Sequence, residues 1–500
     1  MTSFELLKLL GNAQDDYIMD SRKRPKKPQK PPVLKIAALA ACAAILIGIG
    51  GATLYLKPWS SGSPSTNSET LSSPAPGSEA GSTSEDSTKA SSNPLESGEI
   101  TLLSAAQSPA IPKTDAERSK AWQENQVSED TDYALSAFAY QLGARVLSDT
   151  EGSVCFSPVS LYQVLSVVTS GAQGATQEQL LSLLGQGDVD TLKSEMQKLY
   201  QVNQQDTDMD HLEFANSLWL DEKQQDGENQ VSFHQDWVMQ AAMDYYCDVY
   251  AADFSSGAAN APLAAWINQH TGNLMADRLE DFTMRPNTVI AAVNTVYYHS
   301  QWAEQFQSTV QDTFTAQDGT QTTCDFMQNT DLSSEALVTD RYTKSYLPLS
   351  SGQMYVVLPK EGVSVDELLS EDTLWEMFED GSYQNAQVEW SMPKFTTDTD
   401  LDLKDALTAV GVTNAFDASA DFSSIADAGL YLSSVIQGTH IAVNEDGIEA
   451  ASYSFAGMEA GAGEPDDMLE VEMNLNRPFL YLITASDGSP LVLGVVRSVE

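Results

Sequence analysis

Residues 443–475 read VNEDGIEAASYSFAGMEAGAGEPDDMLEVEMNL, and no other stretch constrains the fold as much. Strand-like runs flank it, Leu430–Asn444 before and Met468–Ile483 after. Between them lie about two dozen small, neutral or acidic residues, among them Gly447, Gly457, Gly461 and Gly463. Glycine leaves a backbone free to bend, and a connection this long inside a compact domain is functional or disordered. Its first half alternates. Ile448, Ala450, Ser452, Ser454, Ala456, Met458 and Ala460 fall on one side and carry no charge. Glu449, Ala451, Tyr453, Phe455, Gly457, Glu459 and Gly461 fall on the other. A charge-free side at period two is what a buried strand needs. The segment reads as an exposed loop holding a latent strand; a surface hairpin with accidental alternation fits the same spacing.

The N-terminal part is of another kind. Residues 1–35 are polar and end in a basic run: Arg22, Lys23, Arg24, Lys26, Lys27, Lys30 and Lys35. Ile36–Leu56 follows, 21 residues without a charge. At ~1.5 Å per residue a helix of that length spans ~30 Å, the thickness of a bilayer's hydrocarbon core. Basic residues precede it, so the N-terminus is expected in the cytoplasm and everything beyond Lys57 outside. A cleaved signal peptide is the alternative, but the run is long for one. Leu39-Ala40-Ala41-Cys42 resembles a lipoprotein box, a competing route to the membrane. Residues 57–114 are rich in Ser, Pro and Gly and are expected to be a disordered linker. Residues 115–500 read as one α+β domain.

Composition excludes several functions. The formal net charge is −45. Residues 1–57 hold 9 of the 26 Lys and Arg but only 4 of the 71 Asp and Glu, leaving 17 basic against 67 acidic residues beyond them. Such a surface repels nucleic acid and anionic lipid. Cys155, Cys247 and Cys324 are too few and too irregular for a disulfide framework or a zinc site. His211, His234, His270, His299 and His440 are scattered, and no HExxH pair, phosphate loop or GxSxG elbow occurs. Neither a catalytic centre, a cofactor nor a metal is expected.

Several motifs follow in order. Tyr133–Leu147 has the spacing of a helix. Phe156–Leu180 (FSPVSLYQVLSVVTSGAQGATQEQL) opens a second, with Ser157 as N-cap and Pro158 in the first turn. Then come Phe214-Ala215-Asn216-Ser217-Leu218, Trp266-Ile267-Asn268 with Thr271-Gly272-Asn273, and AVNTVYYHSQWAEQF from Ala292 to Phe306. Tyr355–Pro359, Met392-Pro393-Lys394-Phe395, Leu407–Phe422 and Arg477-Pro478-Phe479-Leu480 complete the series. In this order, with Asn444-Glu445-Asp446-Gly447-Ile448-Glu449-Ala450-Ala451 as a hinge, they resemble the serpins, inhibitors of serine or cysteine proteases. The N-terminal layout suits a bacterial, membrane-anchored member.

The resemblance implies a serpin fold: three β-sheets, eight or nine helices and an exposed reactive-centre loop, here about 445–470. It implies a monomer that is not an enzyme but a suicide substrate. A protease cleaves the loop and becomes acylated by it. The freed strand then inserts into the main sheet. The hinge would be Glu445, Gly447, Ile448, Glu449, Ala450 and Ala451. Ser160, Asn294 and Gln437 would lie beneath the parting strands and Trp302 near Glu445. Gln437 stands where many members have His, Ile448 replaces a usual Thr or Ser, and Tyr453 sits where a small residue is usual. The family's hinge-to-bond spacing, counted from Glu445, reaches Gly461–Ala462, with Met458–Glu459 as alternative. Small residues there suit elastase- or subtilisin-like proteases, and the flanking Glu459, Glu464, Asp466 and Asp467 suit a basic rim. A non-inhibitory surface binding or adhesion module is the rival reading.

Overall fold

The computed structural model describes Leu95 and residues 100–499, apart from 224–230, 276–278, 280–282, 286–287, 380, 449–467 and the side chains of 330–333. All described residues belong to one compact unit, 87–500. The basic segment, the apolar run 36–56, Cys42 and most of the linker lie outside the described residues. So do Glu449, Ala450, Ala451, Met458, Glu459, Gly461 and Ala462. No helix among the described residues is long and apolar enough to cross a membrane.

The first strands are β1 (Ile100–Ser104), β2 (Val154–Phe156), β3 (Gln205–Asp206), β4 (Asp210–Asp221), β5 (Cys247–Ala252) and β6 (Ile290–Gln301). There follow β7 (Ser308–Thr315), β8 (Gln321–Val338), β9 (Tyr342–Pro348), β10 (Gln353–Pro359), β11 (Gln384–Pro393) and β12 (Phe395–Asp402). The last are β13 (Leu432–Asn444), β14 (Gly447–Ile448), β15 (Leu469–Asn474), β16 (Phe479–Thr484) and β17 (Pro490–Val496). Among the described residues one sheet runs β1-β5-β4-β6-β14-β13-β12, with β3 on β4. A second path runs β15-β11-β8-β9-β10-β16-β17-β2, with β7 on β8. It divides at β8, which pairs with β11 up to Ala336 and with β9 only at Leu337 and Val338. Three sheets result, with nine α-helices among the described residues.

Helix Pro158–Gly171 ties the sheets together, and its start is local chemistry. The Ser157 hydroxyl accepts from the Ser160 amide, and proline occupies the first turn, where no amide is needed. All 14 of its residues are buried, so its apolar side chains contribute about 1.5–3 kcal/mol each. Ser160 and Gln163 face the middle of the first sheet. The expected helix Tyr133–Leu147 is longer, Glu129–Asp149, because the Ser128 hydroxyl caps it at the Thr131 amide.

Two expectations change. The linker expected to reach residue 114 ends earlier. Ile100–Ser104 pairs antiparallel with β5, Ile100 opposite Ala252 and Leu102 opposite Tyr250. The Ile-Thr-Leu-Leu run has strand propensity, and the outer edge of β5 supplies its backbone partners; the Ser- and Pro-rich surroundings hide it. Asp115–Glu124 is then a helix with a Thr114/Glu117 capping box. Second, Met392–Phe395, which the resemblance implies is a single strand, is divided between two. β11 ends at Pro393, which lacks an amide for further pairing, and β12 starts at Phe395 in a different sheet. Lys394 sits at the crossover.

Candidate functional site: the hinge and the seam beneath it

β6 and β13 lie side by side, paired in parallel from Leu432–Ile290 to Thr439–Val296. Above that level they part. β14 enters between them, Gly447 opposite Gln301 and Asn444, Ile448 opposite Ser300 and Val443, antiparallel to both. The two residues fill the mouth of a slot. Gly447 has φ +154°, and a Cβ there would lie 2.2 Å from the Ser300 carbonyl oxygen and 2.8 Å from Gln301 Cα. Only glycine passes. Ile448 is completely buried. At that depth an aliphatic side chain leaves no hydroxyl to satisfy, which accounts for the departure from Thr.

The turn into the slot is built by Asn444. Its Oδ1 accepts from the Asp446 amide at 2.9 Å and the Gly447 amide at 3.2 Å, a local side-chain turn. Trp302, 4% exposed, brackets that turn. Its indole donates to the Asn444 carbonyl at 2.8 Å, and its amide donates to the Asp446 carbonyl at 3.1 Å. Glu445, between these two carbonyls, pairs with Lys394 at 2.7 Å. The Lys394 ammonium holds the Glu445 carboxyl below its ordinary value. Asp325 approaches the same ammonium at 3.7 Å.

Under the seam lies a buried polar chain. Gln437 Nε2 donates to Asn294 Oδ1 at 3.0 Å and to the Ser157 carbonyl at 3.0 Å, and its Oε1 accepts from the Ser157 amide at 2.7 Å. Ser160 also donates to Asn294 Oδ1. Asn294 Nδ2 donates to Asn216 Oδ1 at 2.8 Å, and Asn216 donates to Gln163 at 3.4 Å. Ser160, Asn294 and Gln437 are completely buried. The chain links helix Pro158–Gly171 to β4, β6 and β13, and one amide contact, Gln437–Asn294, crosses the seam. Beside it the Thr439 hydroxyl is buried without a hydrogen-bond partner.

Ser160, Asn294 and Gln437 thus meet at one point, and Trp302, Glu445, Gly447 and Ile448 at another. Sequence reasoning missed Lys394, Asn444, Asn216 and Gln163. Lys394 and Asn216 stood inside quoted motifs, but their partners are 51 and 78 positions away. The three described cysteines are free. Burial pushes the Cys155 thiol up to about 11, which leaves it unreactive. Among the described residues no group of His, Cys, Asp or Glu is arranged to hold a metal.

One two-residue strand thus pairs with β6 and β13 at once, directly above a buried polar chain. The sequence model of the serpins, serine protease inhibitors, matches residues 133–499, and the chain belongs to that family. Serpin-Z2B of Triticum aestivum is 29% identical over 381 residues, covering 71% of this chain and 92% of that protein. Serpin B11 of Homo sapiens is 27% identical, covering 71% and 94%. Among solved structures, the thermophilic serpin Tengpin in its native state superposes with a TM-score of 0.66 at 23% identity, covering 80% of this chain and all of that one. Thyroxine-binding globulin in complex with thyroxine gives 0.63 at 24%, covering 73% and 98%. The family is one of inhibitors of serine proteases, not of enzymes.

Two outcomes follow from this geometry. Gly447→Ala should expel β14 from the slot and lower the unfolding midpoint, a loss of about 1–3 kcal/mol, measured by thermal denaturation of the uncut protein. Lys394→Gln should cost at most ~1 kcal/mol at pH 7, because the pair is half-exposed. The depressed Glu445 carboxyl contributes stability above its unfolded value and loses it as pH falls through its folded one. The gap between variant and wild type should therefore close below about pH 4 in a pH series of melts.

Proposed function

We propose that this serpin is a suicide-substrate inhibitor of serine endopeptidases with a shallow primary pocket, elastase- or subtilisin-like. The reading includes presentation outside the cell by the apolar run 36–56. The observation that carries inhibition is β14: the hinge already pairs with both β6 and β13. The protease serine attacks the Gly461 carbonyl, the Gly461–Ala462 bond breaks, and Ala462 leaves as a free amine. Gly461 stays esterified to the protease. The freed segment continues the register that Gly447 and Ile448 have begun.

That register has specific consequences. Each step down the slot puts Glu449 opposite His299, Ala450 opposite Tyr298 and Ser452 opposite Val296 and Thr439. Ser454 then comes opposite Asn294 and Gln437. Insertion separates those two amides, and a serine hydroxyl, donor and acceptor at once, bridges what they lose. Ser452 reaches the level of the unpartnered Thr439 hydroxyl. One parallel ladder is exchanged for two antiparallel ones, which are slightly stronger per residue. About 14 residues at ~3.3 Å each make a strand of ~46 Å. At ~0.5–1.5 kcal/mol per bond this releases on the order of 10 kcal/mol. The acylated protease is dragged that distance. Tyr453, bulky where small residues are usual, is what favours the second reading, a non-inhibitory binding or adhesion module.

Intact-mass analysis after an elastase-type protease should show one C-terminal fragment starting within about three residues of Ala462. A complex stable to denaturant should accompany it, and the cleaved protein should gain heat resistance. Cleavage with neither complex nor gain in heat resistance selects the second reading; complexes with trypsin-like enzymes alone overturn the bond assignment. Ser454→Val should leave the melting point of the uncut protein unchanged. The cleaved form should lose about 1–3 kcal/mol, since Asn294 and Gln437 would lack a partner, read as a lower midpoint in denaturant.

A further inference from the structure

The family model begins at residue 133, and an arm of this chain, residues 100–124, lies ahead of it. The arm runs along the first sheet. β1 covers the edge of β5. The Ala106 amide donates to Asp248 Oδ1 at 2.9 Å, and the Gln107 amide to the Ala242 carbonyl at 2.8 Å. The Pro112 carbonyl accepts from the Asp206 amide at 2.9 Å, and Lys113 meets the Asp206 carboxylate at 3.2 Å. Helix Asp115–Glu124 comes next and buries none of its residues, so no apolar face explains its place. What it delivers is one side chain. Arg118 Nη1 donates to Asp210 Oδ2 at 3.1 Å.

Asp210, the first residue of β4, is completely buried. A carboxylate at that depth needs a cation and hydrogen bonds. Arg118 is the one basic side chain paired with it among the described residues, and it reaches in from the surface, its side chain 26% exposed. The other carboxylate oxygen, Oδ1, accepts from the Ser300 hydroxyl at 2.7 Å and from the Ser350 hydroxyl. Ser300 Oγ accepts in turn from the Ser351 amide at 3.3 Å, and the Ser350 amide donates to the Gln301 carbonyl at 2.8 Å. Ser300 and Gln301 are the residues of β6 that pair with Ile448 and Gly447 in the mouth of the slot. One chain of polar contacts thus runs from the arm to the wall on which β14 is seated.

We propose that Arg118 is a positioning residue for inhibition: through Asp210 it fixes Ser300, the wall on which the inserting strand makes its first pair. The proposal rests on the inhibitory reading above. Once Gly461 is esterified, two reactions compete. Either the strand inserts, or water attacks the Gly461 carbonyl, the ester bond breaks, the proton returns to the protease serine and active protease leaves. A fixed Ser300 lets insertion begin from a pair already made. Without Arg118 the Asp210 carboxylate is left buried and unpaired. It turns toward water or takes up a proton, and either way its hold on Ser300 and Ser350 weakens. Insertion then starts later, and more protease escapes.

The test uses the full-length protein and an elastase-type serine protease. It reads the number of inhibitor molecules consumed per protease trapped, beside the rate of loop cleavage. Arg118→Gln should raise that number about fivefold, part of what a charge-assisted hydrogen bond is worth, and leave the cleavage rate within about twofold. The bond is single rather than bidentate, so Arg118→Lys should trap within about twofold of wild type. Arg118→Gln combined with Asp210→Asn should also trap like wild type, because a neutral amide still accepts from both serines and needs no cation. Ser300→Ala keeps the ion pair and cuts the next link; it should raise the number by a similar factor. Lys113→Gln, which weakens the same arm at its exposed pair with Asp206, should change nothing. Hydrogen exchange of the uncut protein should be faster at amides 300–302 and 447–448 in Arg118→Gln but not in Lys113→Gln. A wild-type number in Ser300→Ala or in Arg118→Gln, or a double variant as poor as Arg118→Gln, overturns the role of Arg118 alone. Wild type that is cleaved without trapping any protease overturns the inhibitory reading and the role of Arg118 with it.

Discussion

β6 and β13 are held together along seven residue pairs by a parallel ladder and by one amide contact, Gln437 to Asn294. Every other feature of the site is arranged around that joint. A parallel ladder is the weaker kind, and here both strands are buried in the middle of a sheet, where an empty slot has no water to fill it. The joint is therefore closed in the resting protein but not optimal. On the proposed mechanism, completing the slot from β14 downwards would improve it at each step, because every new residue would pair on both sides. Gly447 is where β14 begins. Its backbone lies so close to Ser300 that no side chain fits, and Trp302 and Asn444 fix the turn immediately above it.

The polar chain beneath the seam explains why the joint does not simply fuse. Fully apolar strands would pack shut and resist parting. Asn294 and Gln437 keep a hydrogen bond that a third side chain can take over, at little net cost if the exchange is complete. From the helix side, Ser157 holds Gln437 and Ser160 holds Asn294, which would keep both amides oriented during the proposed separation of the strands. Gln437 is well suited to this. It donates to both Asn294 and the Ser157 carbonyl and accepts from the Ser157 amide, with no change of protonation.

How much of this was legible in the sequence depends on distance along the chain. The Ser157-Pro158 helix start and the buried Ile448 are local patterns of a few residues, and each is found where the pattern says. β1 was hidden because its three apolar residues are surrounded by a composition typical of linkers, and only the free edge of β5 makes the run a strand. Lys394 was visible as part of a motif but not as the partner of Glu445, since that pairing exists only because the chain changes sheets at Pro393. Helix Asn260–Gln269 with the turn after it is the extreme case. Asp248, Glu213, Tyr297 and Gly438 come from four separate strands, and no spacing in the sequence brings them under one helix.

Gly438 is the bare patch of β13 on which Ile267 and Met275 sit, and a methyl there would meet them at 3.5 and 3.7 Å. It is the one glycine of that strand, and it lets helix Asn260–Gln269 and the turn after it lie flat against the sheet. If the proposed insertion keeps the register begun by Ile448, Tyr453 would come to the level of Gly438 and Thr295. Its ring would then cover apolar surface that a small residue would leave open, with the hydroxyl toward solvent. A large residue in a run of small ones would thus be matched to a glycine on the neighbouring strand.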